Sequence, residues 1–171
     1  MTVRVALSIG SNLGDRTAAL QAAVAALVAL PGVSGVRVSS LYETDPVGGV
    51  AQPDFLNVVA VADAAGESSQ AVAHALLHLA RQVERELQRV REVRWGPRSV
   101  DVDVLAVGDL LSDDPELTVP HPRLAGRAFV LVPWCEVDPE FQVPGRGRVA
   151  ALLARLPDAQ IDGVRLAGPW D

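Results

Sequence analysis

The sequence predicts an α+β fold, a mostly antiparallel sheet with helices packed on it. Segments of strand and helix periodicity follow one another in the order βαββαβ. The second and third strands are joined by a loop, not a helix, which makes them antiparallel. The chain has 171 residues, 49% of them apolar, so it can bury a core without staples. No internal repeat, low-complexity stretch or linker divides it, so residues 1–171 read as a single domain.

Each element has its own signal. Val3 to Ile9 alternates and is β-branched, as a strand is. Gly10 to Asp15 turns into a helix with Asn12 or Asp15 as its cap. That helix runs to Leu30 and stops at Pro31-Gly32. Val33 to Thr44 alternates as a second strand, with Val36, Val38 and Ser40 on one face and Arg37, Ser39 and Leu41 on the other. Two prolines and two glycines make Asp45 to Pro53 a loop. Phe55 to Ala62 is the third strand. Ser68 caps a helix over Ser69 to Gln88, whose Val72, Leu76, Leu79 and Val83 recur every three or four positions. Arg89 to Pro97 is an arginine-dense loop ending in Gly-Pro, and Val100 to Val107 is the fourth strand. Leu117 to Val119 is short and extended, Arg123 to Glu136 a broken helix, and Val149 to Leu156 a short helix in a weaker C-terminal stretch. This order is the split βαβ of a ferredoxin-like α/β sandwich.

Composition narrows the function. A net charge of −6 argues against a nucleic-acid binder that works by neutralising phosphates in bulk. All fifteen basic residues are Arg, which excludes a P-loop lysine and a lysine Schiff base. Any polyphosphate must then be held by guanidinium groups, backbone amides or metal. The one cysteine, Cys135, excludes an internal disulfide and reads as a small core residue beside Val132 and Trp134. No apolar run approaches the ~18 residues of a spanning helix. The N-terminus lacks a signal-peptide layout, so no membrane partner and a cytoplasmic location are expected. With no coiled-coil seam, a monomer is expected.

The sharpest chemical signal is Asp101 and Asp103, two positions apart on a strand. Successive strand residues face opposite sides, so the two carboxylates share a face, roughly 6–7 Å apart at the Cα. On a strand otherwise made of Val and Leu the pair needs a cation, and Mg²⁺, hard and oxygen-seeking, suits it. The alternative is a solvated strand face. Arg94, Trp95, Gly96, Pro97 and Arg98 stand just upstream, with Arg89 and Arg91 before them. Arginines beside two aspartates suit a metal–polyphosphate site. The alternative is a surface network with Glu84, Glu86 and Glu92.

Two further constellations stand out. His121 sits between Pro120 and Pro122, a stiff placement from which an imidazole can donate to a phosphate or merely cap a helix. Phe55 and Asn57 share a strand face downstream of the Gly/Pro-rich loop. Together they offer a stacking surface and a donor–acceptor pair to a flat heterocycle, or else belong to an ordinary hairpin. His74 and His78, at i and i+4, lack the Glu and third ligand of a zinc site and read as helix surface. The glycines of the Gly10 to Gly14 turn serve the turn itself.

Five stretches taken together resemble the 6-hydroxymethyl-7,8-dihydropterin pyrophosphokinase family of folate biosynthesis. They are Ser8 to Asp15, Tyr42 to Pro46, Gln52 to Asn57, Arg94 to Asp103 and Thr118 to Arg123, in the family's order and spacing. The resemblance implies a ferredoxin-like sandwich that binds ATP and then the pterin, transfers pyrophosphate and releases AMP. It implies that Asp101 and Asp103 hold two Mg²⁺ ions. It places Glu84, Arg91, Arg98, Thr118, His121 and Arg127 on ATP. It places Thr44, Asp45, Val47, Phe55, Asn57, Trp95 and Phe129 at the pterin, with Trp95 in a loop that closes. Arg89, Arg98, Asp101 and Asp103 are the implied catalytic residues. The chain departs from the pattern at Asp45, where many relatives have Pro, and at Glu116, where some have a basic residue. The arginine loop is also one residue shorter than in some relatives.

Two other classes fit the same Asp pair. A Mg²⁺-dependent nucleotidyl or phosphate hydrolase would not use Phe55 and Asn57. A ligand-sensing module of the same fold would use the aspartates structurally.

Overall fold

The computed structural model describes residues 1–46, 51–92 and 100–171, and all their side chains except those of 89–92. Its elements are β1 (Thr2–Ser11), α1 (Arg16–Ala29), β2 (Val33–Val38), β3 (Leu41–Thr44), β4 (Phe55–Ala65), α2 (Ser69–Glu92) and β5 (Asp101–Val107). A small hairpin, β6 (Ser112–Asp114) and β7 (Leu117–Val119), follows, then a 3-10 turn at Leu124–Gly126 and α3 (Ala128–Val137). The chain ends with β8 (Gln142–Val143), β9 (Gly147–Arg148), α4 (Val149–Ala154), α5 (Asp158–Asp162) and β10 (Val164–Gly168).

The main sheet runs β10-β3-β4-β1-β5, with β2 also on β4, and its pairs are antiparallel. The ferredoxin-like expectation therefore holds. Long strands rich in Val and Ala form the centre because β1 and β4 are buried on both faces. One face carries Leu7, Ile9, Val58, Ala60 and Val102 under Leu20 and Leu27 of α1 and Leu76 and Val83 of α2. The other carries Ala6, Val59, Val61 and Leu105 under Val130, Leu131 and Trp134 of α3 and Leu152 of α4. Trp134 is fully buried and meets Phe141 edge-on at 5.0 Å.

Local chemistry sets the boundaries. Of the two candidate caps of α1, Asp15 accepts from Ala18 N–H. Asn12 instead donates to Gln52 Oε1 at 2.9 Å and to the Pro53 carbonyl. The predicted strand Val33 to Thr44 is two strands. At the break the buried Ser39 hydroxyl accepts Val59 N–H at 3.0 Å in place of a backbone carbonyl. An extra residue at Gly35, with φ +60, bulges β2 between Ser34 and Arg37.

The broken helix expected over Arg123 to Glu136 is found, with the break at Arg127, which is extended between the 3-10 turn and α3. Two other expectations are corrected. The second helix continues through Glu92, so Arg89 and Arg91 lie in a helix rather than a loop. The C-terminal stretch supplies β10, an edge strand of the main sheet. Among the described residues, no helix is long and apolar enough to cross a membrane.

Candidate active site

Register builds the site. On β1, Gly10 lies opposite Asn57 of β4 on one side and Asp101 of β5 on the other. Two residues along, Ser8 lies opposite Val59 and Asp103. Phe55 and Asn57 thus share a sheet face with Asp101 and Asp103, the face on which α3 and α4 cover the opposite end. Gly10 is here for room. A Cβ at this position would stand 2.7 Å from Asn57 Oδ1 and 3.8 Å from the Phe55 ring. Gly10 is therefore a strand residue of the site; its assignment to the turn is corrected, whereas Gly14, with φ +65, does serve a turn.

These residues line a cavity of about 350 Å³. Buried Asn57 is fixed by donating Nδ2 to Thr44 Oγ1 at 2.9 Å, which orients its amide. Glu84 reaches across from α2 and accepts Val102 N–H at 2.9 Å, the amide between the two aspartates. Arg127 is held at the far wall by the break before α3. Its guanidinium stands 3.9 Å from Asp103 and 5.4 Å from the centre of the Phe129 ring.

A second cavity of about 280 Å³ adjoins, lined by Leu77, Glu116, Thr118, His121 and again Asp103. The His121 backbone N–H donates to Leu105 O, and its Nδ1 accepts Arg123 N–H at 3.1 Å. The ring proton therefore belongs on Nε2. Burial lowers the His121 pKa below 6.5, Asp103 opposes this, and Arg127, Arg123 and Arg146 add to the lowering. The lowering favours the neutral ring, and with Nδ1 accepting, Nε2 is its donor.

A family model described as 7,8-dihydro-6-hydroxymethylpterin-pyrophosphokinase matches residues 6–139. The chain belongs to this family. A Mycobacterium tuberculosis protein named 2-amino-4-hydroxy-6-hydroxymethyldihydropteridine pyrophosphokinase is 42% identical over 178 residues, covering 97% of this chain and 90% of that one. A Pseudomonas aeruginosa protein of the same name is 40% identical over 168 residues, covering 98% and 99%. Among solved structures, wild-type Plasmodium falciparum HPPK-DHPS matches with a TM-score of 0.62 at 13% identity, over 91% of this chain. This chain spans only 45% of that one, and the likeness speaks for the fold.

Of the pyrophosphokinase residues expected from sequence, nine meet around the first cavity: Thr44, Asp45, Phe55, Asn57, Glu84, Asp101, Asp103, Arg127 and Phe129. Thr118 and His121 line the second. Val47, Trp95 and Arg98 lie outside the described residues, as do the side chains of Arg89 and Arg91. His74 and His78 are exposed on α2, as expected. Sequence patterning missed Ser8 and Gly10 as lining residues. Their signal is lateral, the register with β4 and β5, and leaves no trace in the periodicity of β1 itself.

Proposed function

We propose that this chain transfers pyrophosphate from ATP to 6-hydroxymethyl-7,8-dihydropterin in folate biosynthesis, working as a single-domain, Mg²⁺-dependent cytoplasmic monomer. The observation that carries the reading is the meeting of two unlike surfaces in one cavity. Phe55, Asn57 and Thr44 form a flat, hydrogen-bonding end, and Asp101 and Asp103 form an acidic end beside it.

The acidic end suits a divalent ion. Asp101 and Asp103 are half-buried, offer hard oxygen ligands on one strand face, and have only Gly10 and Ser8 beside them on β1, which leaves space. Mg²⁺ held there would supply charge neutralisation for the phosphates. The chain's own groups do the rest. Asn57 and Phe55 orient the pterin so that its hydroxymethyl oxygen faces the β-phosphorus of ATP. A new O–Pβ bond forms as the bond from Pβ to the α,β-bridging oxygen breaks; the hydroxyl proton is released to water and AMP leaves. His121 donates Nε2–H to a phosphate oxygen, while Arg127, Arg98 and Arg89 offset the charge on the transferring group. Thr118, Glu84 and Arg91 sit with the nucleotide, and Asp45, Val47, Trp95 and Phe129 with the pterin.

The test is product analysis with purified protein, ATP, MgCl₂ and the reduced hydroxymethyl pterin. AMP formed one-for-one with a pterin diphosphate, and abolished by EDTA, is the expected result. ADP or inorganic phosphate in its place would overturn it.

A further inference from the structure

The C-terminal strand reaches the site through one side chain. In β10, Arg165 lies opposite Glu43 of β3. Its Nη2 donates to Asp45 Oδ1 at 3.1 Å and to Asp54 Oδ2 at 3.2 Å. Asp45 follows β3 and lines the first cavity; Asp54 immediately precedes Phe55. One guanidinium nitrogen therefore ties together the residue that follows β3 and the residue that precedes β4 at the proposed pterin end.

The two flanks are otherwise held very differently. The downstream flank has several anchors from the N-terminal part of the chain. Asn12 donates to Gln52 and to the Pro53 carbonyl, and Arg16 donates to the Asp54 carbonyl at 3.1 Å. Upstream, Arg165 is the hydrogen-bond partner of the Asp45 side chain among the described residues. The position of that carboxylate, and its negative charge at the cavity wall, are thus set from β10. Arg165 lies beyond residues 6–139, the span matched by the family model.

We infer that Arg165 is a positioning residue for the pterin, acting through Asp45 and Asp54 rather than by touching the reacting atoms. The inference rests on the proposed function for its substrate. The bonds are exposed, with 71% of the Asp45 side chain and 45% of that of Arg165 accessible, so they contribute little to global stability. Their effect is geometric: they hold the Asp45 wall in register with Phe55.

Arg165→Met tests this. The variant should raise the KM for the pterin by about fivefold, with kcat and the KM for ATP within about twofold of wild type and Tm unchanged. Arg165→Lys, which keeps the charge but not the fork, should recover part of the loss. Asp45→Asn should also raise the pterin KM, and the double variant should lose less than the two single losses combined, because the two residues are coupled. An unchanged pterin KM overturns the inference, and so does a rise in both KM values accompanied by a lower Tm. Hydrogen exchange on the ligand-free protein reads the clamp without any substrate. Faster exchange at Asp45 and at Asp54–Phe55 in Arg165→Met supports it, and identical exchange overturns it. Wild-type turnover tests the proposed function separately, so the two can fail independently.

Discussion

The two ends of one sheet face are built from the same strands and do opposite work. At one end, Ala6, Val59, Val61 and Leu105 lie under Trp134, Leu131 and Val130 in a dry core. At the other, Ser8, Gly10, Asn57, Asp101 and Asp103 continue the same rows into an open cavity. Strand geometry does not change between them; the cover does. Helix α3 starts only at Ala128, so Arg127 and Phe129 form the wall where the cover stops. A polar group in the covered end would cost several kcal/mol unpaired, whereas at the open end it meets solvent or ligand. The close-packed covered end anchors the strands that carry the polar end.

The comparison can be broken most sharply at the aspartates. Asp101→Ala or Asp103→Ala should lower turnover by about 10²–10³ or more while the thermal unfolding curve stays near wild type. An unchanged rate in the AMP assay would sink the metal assignment. At the covered end the pattern inverts. Trp134→Ala should remove about 3–5 kcal/mol of stability in urea unfolding, with activity per folded molecule retained.

Smaller effects sharpen the boundary between the ends. Gly10→Ala drives a methyl against Asn57 Oδ1, at an unrelaxed distance of 2.7 Å. The pterin KM should rise by about tenfold, since overpacking a close contact costs of order 1–3 kcal/mol. Steady-state kinetics at saturating ATP checks this; equal KM values would show that Asn57 can step aside.

The smallest expected effect lies where α3 docks on the strand edge. Tyr42 donates its phenol to Glu136 Oε2 at 2.5 Å, and Ser40 donates both N–H and hydroxyl to Oε1. Burial and the Glu136 carboxylate raise the Tyr42 pKa, so the phenol stays protonated and donating. Burial works to raise the Glu136 pKa, but the Tyr42 and Ser40 hydrogen bonds outweigh it and the pKa lies below 4.5. A depressed acid stabilises the fold above its unfolded pKa and loses that contribution as pH falls through the folded one. Glu136→Gln should therefore cost at most about 1 kcal/mol at pH 7, because the group is exposed. The difference from wild type should shrink as pH drops below 4.5. Urea midpoints at pH 7 and pH 3 measure it.

What could be read in advance and what could not divides along the same line. The sharing of a face by Asp101 and Asp103, and by Phe55 and Asn57, was legible because alternation is a local property with period two. The single strand expected over Val33 to Thr44 failed because Ser39 gives Val59 a side-chain acceptor, a substitution invisible without its partner strand. The stop expected at Gln88 failed because α2 carries on through Glu92 with no proline or glycine to end it.

By itself the sequence determined the βαββαβ order, the acidic pair, the aromatic–amide pair and the family. All of these rest on residues close together along the chain or on motifs in fixed order. Tertiary structure alone decided that Gly10 stands between Asn57 and Asp101, that Arg127 closes the wall, and that Arg165 reaches back to Asp45 and Asp54. Those placements depend on strand register and on which edge the last strand joins, and both are set by long-range packing that no local period encodes.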